Sequence, residues 1–499
     1  MNKKFGIEGI AYYLPRHKVD LEKWCQWTGS DWLKVNSVIG NAFRVLGPKE
    51  SIYTISANAL LSLIENYDID PNNIGFLALG TESSTEKAAG AIIVKGMVSD
   101  ELERRGKPRI SRNCEVPEYK HACLGGIYAM KGAVRYLVSE SQLHGGISPI
   151  KEKVAIVISA DVAEYKIGST GEQTQGCGAV AILVSSDPKL GVIDLSSAGT
   201  ASEYRKFDFR KPLSRNLSND DRNILHDFPV FNGKYSTFCY IEEVREALFD
   251  AVGKREIDFK NYFDKFHSIL MHRPYKRMPR LALGLIYVEG ILRNEELKSQ
   301  AQIEFVLTDE EIQSTLQEID TRGSVFSKVT KHNINDELYP CLNRMYHKIK
   351  NFLPLKNLLR QKMLLGEKYV SEMGNLYSAS LPAWMGAAFY EASRSNNTEL
   401  TDEKLLLVGY GSGDASESFE IIISPEWKEA ASKINIDHVL GNYYNLSKEQ
   451  YHKLHDDRVC PGDVSAYENE CFVVDEIGTD DDSEFQDIGI EYYSYKKAV

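Results

Sequence analysis

The sequence predicts a layered α/β fold built from two similar halves, with a mainly helical insertion in the second. Three observations carry this. Short continuous apolar runs, which suit buried strands, alternate with segments of helical spacing. A glycine turn between strands stands in each half, near 176–184 and again near 409–423, which points to an internal duplication without a fixed-period repeat. Residues 289–368 are charged, helix-like and poor in strand signals. The expected organisation is an N-terminal half over 1–195, a C-terminal half over 196–431 containing the 289–368 insertion, and a polar, acidic extension over 432–499.

In chain order, Phe5 to Leu14 alternates and ends at Pro15, which suits a strand. Trp24 to Ser37 is aromatic and amphipathic and reads as helical, as does Ser56 to Tyr67 with Ala57, Leu60, Leu61 and Ile64 on one side. Ile74 to Gly80 is a buried strand that delivers Thr81-Glu82-Ser83-Ser84 at its C-terminal end, a usual place for function in α/β folds. Apolar residues at Ile127, Met130, Val134 and Leu137 mark a helix, and Cys123 stands just before it. Val154 to Ala160 is a strand ending at Asp161, followed by a polar loop, Gly168 to Gln175, and a strand from Gly178 to Ser185. In the second half, Phe266 to Met271 runs into His272. Leu405 to Val408 runs into Gly409-Tyr410-Gly411-Ser412-Gly413, and Phe419 to Ile423 is the strand after it. The tail from Ser432 is polar, and Glu476 to Asp487 is acidic enough to be read as a solvated, partly disordered end.

Bulk composition excludes several classes. With 499 residues, 43% hydrophobic and 26% charged, the chain is globular and long enough for two to four domain-sized units. A net charge of −12 argues against nucleic acid or an anionic membrane as the main partner. Eight scattered cysteines (Cys25, Cys114, Cys123, Cys177, Cys239, Cys341, Cys460, Cys471) form no CxxC pair, which gives a zinc or thioredoxin-like site no support and suits a reducing cytoplasm. Met1-Asn2-Lys3-Lys4 imitates a signal n-region. Glu8 interrupts the apolar run and no cleavage site follows, so no signal peptide is expected. No run of about 18 apolar residues occurs.

Several residues carry chemistry in principle. Free N–H groups and the positive dipole end at a helix start favour an anion, so a thiol at Cys123 is expected to ionise readily and act as a nucleophile. Gly125 and Gly126 keep the first turn bare, which would let a ligand approach the backbone. By itself the stretch equally suits a buried core cysteine. Glu82, at a strand end, is placed to act as a base or acid, or is simply a solvated loop residue. His272 precedes Arg273-Pro274-Tyr275-Lys276-Arg277, a possible landing strip for phosphates or an exposed basic edge. Gly374 to Ser380 offers an amide and hydroxyls before an apolar helix, or a plain helix cap. Gly409 to Gly413 offers backbone N–H groups to an oxyanion, or an ordinary turn. It does not match G-x-G-x-x-G, so no dinucleotide site is read there.

Taken together, these pieces resemble the hydroxymethylglutaryl-CoA synthase family of the thiolase superfamily. The matching stretches, in order, are Gly80-Thr81-Glu82-Ser83, His121-Ala122-Cys123-Leu124-Gly125-Gly126, Asp161, Thr174-Gln175-Gly176-Cys177-Gly178-Ala179-Val180, Phe207-Asp208-Phe209-Arg210-Lys211-Pro212, Asn232-Gly233-Lys234-Tyr235-Ser236, His272-Arg273-Pro274-Tyr275, Gly374-Asn375-Leu376-Tyr377 and Tyr410-Gly411-Ser412-Gly413. The resemblance implies a thiolase-like fold and a set of roles. Cys123 is similar to the acylated nucleophile, Glu82 to the general base and acid, and His272 to the residue that polarises the second acyl thioester. Asn375 and Ser412 resemble residues that hold acyl oxygens. Thr174, Ser236 and Arg277 fall at ligand-contacting positions, and Asp161, Asp208 and Tyr377 at supporting ones. Three side chains, of Cys123, Glu82 and His272, are expected to meet in one tunnel.

The implied reaction is an aldol-type condensation of an acetyl group on Cys123 with an acetoacetyl thioester, giving 3-hydroxy-3-methylglutaryl-CoA for isoprenoid precursors. The implied partners are acetyl-CoA and acetoacetyl-CoA, or acyl carrier protein thioesters, with a homodimer as the default assembly and no metal or redox cofactor. The sequence departs from the family pattern. Leu124 stands where a Tyr usually follows the nucleophile, and Thr170 replaces a usual Asn. The coenzyme A segment is not recognisable between Gly29 and Gly47. Arg277 matches one basic position, while Leu281 stands at another beside Arg280. These changes leave open the same chemistry on carrier-protein chains for polyketide β-branching. An initiating 3-ketoacyl synthase and a degenerate, non-catalytic scaffold are the other readings.

Overall fold

The computed structural model describes residues 4–143, 153–211, 214–215, 224–225, 228–255, 257–458, 470–482 and 484–497. Met1, Asn2 and Lys3, together with Pro212 and Cys460, lie outside the described residues. Contacts group the chain into two compact units. The first is Met1–Ile193 with Gly366–Asp402 and Ile423–Val499; the second is Asp194–Leu365 with Glu403–Ile422.

In the first unit, Gly6–Tyr13 pairs antiparallel with Gly176–Ser185, which pairs antiparallel with Val154–Ala163. Val154–Ala163 then pairs parallel with Ile74–Gly80, and that strand with the short Glu118–Tyr119. Ile74–Gly80 and Gly176–Ser185 are buried throughout, as their continuous apolar runs require of strands covered on both faces. The helix Ile52–Asn66 packs on Gly6–Tyr13 and Gly176–Ser185, and the helix Gly125–Leu143 on Ile74–Gly80 and Val154–Ala163. Ser51 and Thr54 cap the first of these reciprocally.

The sequence reading ends the second half at 431, yet Gly366–Asp402 groups with the first unit. The cause is packing: helix Ser380–Arg394 lies on Gly6–Tyr13 and on Trp427–Ser432. Tyr12 Oη donates to Ala383 O at 2.7 Å. Two further expectations need correction. Trp24 to Ser37 is two helices, Leu21–Thr28 and Trp32–Val38, broken at Gly29, whose φ of 73° is left-handed. The acidic tail is not a loose end where it is described. Cys471–Ile477 and Glu491–Lys496 form an antiparallel hairpin, and Asn58 exchanges side-chain bonds with the backbone N and O of Phe472.

In the second unit, Ser268–Met271 pairs parallel with Lys404–Gly411, which turns through Ser412 into the antiparallel Ala415–Ile423. Around these strands lie the helices Gly233–Gly253 and Arg277–Arg293, the latter carrying Glu295–Phe305, Asp309–Asp320, Pro340–Ile349 and Leu353–Gln361 against or beside it. From Arg277 to Gln361 the described elements are all helical. Buried Glu289 accepts from Arg245 at 2.7 and 2.8 Å and from Arg322 at 2.7 Å.

Candidate active site

Strand Ile74–Gly80 ends where helix Gly125–Leu143 begins, and glycines allow the close approach. A Cβ on Gly80 would lie 2.5 Å from Gly126 Cα and N, and one on Gly126 would lie 2.1 Å from Ser159 Oγ. The bare first turn thus admits neighbouring strands, not a ligand as the sequence suggests. Leu124 O accepts from Ile127 N and Tyr128 N, so the helix starts directly after Cys123. Leu124 itself is fully buried.

This junction places Cys123 Sγ 3.8 Å from Glu82 Oε2. Both side chains are half-buried. Asp161 fixes the backbone beneath them. Its Oδ1 accepts from Thr81 Oγ1 at 2.9 Å, Glu82 N at 2.8 Å and Ser83 Oγ at 2.7 Å, and its Oδ2 from Ser378 N at 2.9 Å. Ser378 Oγ in turn donates to Gly80 O at 2.9 Å. Burial, and then the nearby Glu82 charge, push the Asp161 carboxyl up to about 6.

Asn375 and Tyr377 arrive in the same unit. Asn375 Oδ1 accepts from Tyr377 N at 3.0 Å and from Ser380 Oγ at 3.2 Å. A backbone N–H can only donate, which assigns this atom as the oxygen and leaves the amide Nδ2 as the donor end. Tyr377 has a left-handed φ of 43°, as Ala122 has at 42°. The Tyr165 phenol lies beside the side chains of Tyr377 and Thr174. Burial pushes both phenols up, with Cys123 and Glu82 nearby adding to the effect. Tyr165 and Ser378 carry this geometry; sequence reasoning gave Tyr165 no role and named Ser378 only among the hydroxyls of Gly374 to Ser380. Thr174 Oγ1 also donates to Gly171 O at 2.7 Å.

In the second unit, strand Ser268–Met271 carries His272 inside, 1% exposed. Its N donates to Val408 O and its O accepts from Tyr240 Oη at 2.7 Å. Neither ring nitrogen has a hydrogen-bond partner among the described residues. Burial lowers its pKa to about 3, so the ring is neutral at ordinary pH. Ser412 sits half-buried in the turn after Lys404–Gly411. Ser236 lies in the first turn of Gly233–Gly253, its buried Oγ without a partner among the described residues. Arg277 begins its helix and is exposed, while Leu281 is half-buried. Asp208, Cys239 and Asp414 are buried together, their candidate ligand atoms within 4.8 Å of one another. Arg205 Nε lies 3.9 Å from Asp414 Oδ2, and the same guanidinium bonds Glu243 at 2.7 Å.

In the Gly29–Gly47 segment, Arg44 is buried and donates to the carbonyls of Pro15 at 3.0 Å and Leu440 at 3.2 Å. Its charge serves the backbone and is not displayed to a phosphate. No disulfide joins the described cysteines. No helix of the described residues is long and apolar enough to cross a membrane.

The model of the hydroxymethylglutaryl-coenzyme A synthase N terminal matches residues 1–189, and that of its C terminal matches 193–459. The hydroxymethylglutaryl-CoA synthase ERG13 of Gibberella zeae is 25% identical over 470 residues, covering 91% of this chain and 90% of the relative. That of Haloferax volcanii is 24% identical over 407 residues, covering 82% and 80%. Among solved structures, MvaS in complex with 3-hydroxy-3-methylglutaryl coenzyme A superposes with a TM-score of 0.74 at 23% identity, over 99% of this chain and 100% of that one. The HMG synthase of the curacin biosynthetic pathway, in complex with acetyl donor-ACP, gives 0.68 at 17%, over 99% and 100%. The layered α/β fold is thus thiolase-like, and the chain belongs to the hydroxymethylglutaryl-coenzyme A synthase family.

Proposed function

We propose that this chain condenses an acetyl group with an acetoacetyl thioester to give 3-hydroxy-3-methylglutaryl-CoA, the step that supplies isoprenoid precursors. The observation that carries the proposal is the Cys123 sulfur 3.8 Å from a Glu82 carboxylate whose backbone is clamped by Asp161. A sulfur nucleophile alone serves many acyl transfers. A carboxylate beside it serves one that must also remove a proton from carbon.

The Cys123 thiolate attacks the acetyl thioester carbonyl, and the carrier thiol leaves with a proton. Glu82 takes a proton from the acetyl methyl group. The resulting carbanion attacks the ketone carbon of the acetoacetyl thioester. The alkoxide takes back a proton from Glu82, and water then cleaves the Cys123 thioester. His272, neutral and a potential hydrogen-bond donor, is assigned to the acetoacetyl oxygen, where developing charge needs a preorganised partner. Asn375 Nδ2 and the Ser412 turn are assigned to acyl oxygens, and Thr174, Ser236 and Arg277 to binding the thioesters. Tyr377, Asp161 and Asp208 support these groups. Each positioned acid–base group contributes on the order of 10²–10⁴ in rate.

The carrier is coenzyme A in this reading. The Leu124 and Gly29–Gly47 departures keep an acyl carrier protein as the second reading, with the chemistry unchanged. A homodimeric cytoplasmic enzyme is the accompanying expectation. The test offers acetyl and acetoacetyl groups on coenzyme A and on a carrier protein, and weighs product and protein. The expected results are acetylated Cys123 and a 3-hydroxy-3-methylglutaryl product. A 3-ketoacyl product, or condensation surviving in Glu82→Ala, would replace the proposal with a Claisen enzyme. Unmodified Cys123 with every donor would replace it with a scaffold.

A further inference from the structure

Strand Lys404–Gly411 carries Tyr410 into the interior of the second unit, where two carboxyl groups meet its hydroxyl. Tyr410 Oη lies 2.5 Å from Asp414 Oδ1 and 3.2 Å from Asp208 Oδ2. Asp208 and Asp414 are both buried. A phenol has one proton to donate and cannot serve two carboxylates at once. Gly413 N also donates to Asp414 Oδ1, at 2.8 Å. Asp208 Oδ1 and Asp414 Oδ2 accept no hydrogen bond from the described residues. Two charged carboxylates at this spacing repel strongly in a dry site, and one proton held between them removes the repulsion.

The surrounding groups do not relieve it. Arg205 Nε is 3.9 Å from Asp414 Oδ2, but its other face is bonded to Glu243 at 2.7 Å. Cys239 and Tyr235, from helix Gly233–Gly253, are both pushed up by burial and stay neutral. Glu242 and Glu243 on the same helix add no positive charge. His272 is neutral.

What the pair holds matters for His272. With no hydrogen bond to either nitrogen among the described residues, the imidazole depends on packing for its orientation. The Tyr410 ring lies near-parallel to it at 6.3 Å and 28°, and Tyr240 packs against both. We propose that Asp208 and Asp414 share one proton and, through the Tyr410 hydroxyl, fix the ring that orients His272, so that Asp414 is a positioning residue for the condensation step. This rests on the role assigned to His272 above. Burial and the Asp208 neighbour push Asp414 up to about 9, which keeps the shared proton in place through neutral pH. Above that pH the second charge appears and the arrangement loosens.

The test compares wild type with Asp414→Asn, Asp414→Ala and Tyr410→Phe in the full chain. Asparagine keeps a hydrogen-bond donor toward Asp208 but cannot ionise. Asp414→Ala and Tyr410→Phe are expected to lower kcat/KM for the acetoacetyl thioester on the order of 10²-fold through misplacement of His272. Acetylation of Cys123 should not change. Asp414→Asn is expected to recover most of that loss and to lack the alkaline fall seen in wild type near pH 9. The wild-type minus Asp414→Asn infrared difference spectrum at neutral pH should show the carbonyl band of one protonated carboxyl, since Glu242 and Glu243, which burial pushes up to about 7, contribute to both spectra and cancel. A difference spectrum without that band, an alkaline fall that persists in Asp414→Asn, or a metal ion that co-purifies with wild type but not with the variant would overturn the proposal. Should wild type fail to acetylate Cys123 at all, the functional reading fails, while the infrared comparison still decides the shared proton.

Discussion

Asp161→Asn separates positioning from stability in this site. In wild type, four donors converge on two oxygens: Thr81 Oγ1, Glu82 N and Ser83 Oγ on Oδ1, and Ser378 N on Oδ2. An amide placed to keep the first three turns its Nδ2 toward Ser378 N, donor against donor. One buried N–H loses its acceptor, at about 1–3 kcal/mol, and the other three bonds lose their charge assistance, at about 1 kcal/mol each. Against this stands relief. Burial holds the Asp161 carboxyl at about 6, so its charge at neutral pH is disfavoured by ~3 kcal/mol, and asparagine carries none. The cost exceeds the relief by about 1–3 kcal/mol, and the denaturant midpoint should fall by a corresponding amount. The Glu82 backbone, however, is no longer clamped. A shift near 1 Å costs on the order of 10²-fold in rate. The assay is condensation at saturating thioesters alongside single-turnover acetylation of Cys123. Condensation should fall about 10²-fold with acetylation retained. In wild type, condensation should also fall as pH drops through about 6, where Asp161 gains a proton, and Asp161→Asn should lack that limb. Stability moves the other way. With the folded value raised above 3.8, the favourable term is fully present below about 4 and is lost as pH rises through about 6. Equal losses of acetylation and condensation, or no loss of either, would refute the clamp.

Gly80→Ala forces a Cβ to within 2.5 Å of Gly126 backbone atoms, so strand and helix must part. The expected cost is about 1–3 kcal/mol in urea denaturation, with slower acetylation as the sulfur and carboxylate separate. His272→Ala should lower condensation by on the order of 10²–10⁴ while acetylated Cys123 still accumulates. Because burial holds this imidazole at about 3, no limb of the wild-type pH profile between 5 and 8 should vanish in that variant. Glu289→Ala removes the buried carboxylate that Arg245 and Arg322 share in the second unit, leaving Arg245 to Glu246 and Arg322 to Glu242 at 3.6 Å. It should destabilise by about 3–5 kcal/mol in denaturant unfolding, without altering the Cys123–Glu82 chemistry of the residual folded enzyme.

The elements that the sequence revealed are those whose pattern is local. Ile74–Gly80 is a continuous apolar run, and the helix after Cys123 repeats its apolar residues at helical spacing, so both were legible, along with the residues at their ends. Tyr165 was not. It is one aromatic in a polar stretch, and its place beside Tyr377 and Thr174 is set by chain closure over more than two hundred residues. Asp414 was likewise silent, because nothing near the glycine turn announces Asp208. The tail misled through composition. Its acidic residues are solvated as expected, Asp487 aside, but they were also read as partly disordered, while Cys471, Phe472 and Val473 form a short apolar run long enough to seat a hairpin on helix Ile52–Asn66. Gly29 shows the limit of periodicity: the amphipathic pattern continues across it, but its left-handed backbone ends one helix, and Asp31 caps the start of the next.

The backbones of Ala122 and Tyr377 explain why the sulfur and carboxylate keep their spacing. Ala122 and Tyr377 hold left-handed backbones that side chains with a Cβ disfavour, each at a cost on the order of 1–3 kcal/mol. Such strain persists only where neighbours over-determine it. Ala122 precedes Cys123 at a helix start pinned by Gly125 and Gly126 against two strands. Tyr377 precedes Ser378, whose N–H bonds Asp161 and whose hydroxyl bonds Gly80. Both strained positions therefore feed the same clamp, one from the side of the nucleophile and one from the side of the base. A fold that only buried these residues would have relaxed both backbones. Keeping them strained holds Sγ and Oε2 at contact distance, the arrangement that a proton transfer from an acetyl carbon beside the sulfur requires.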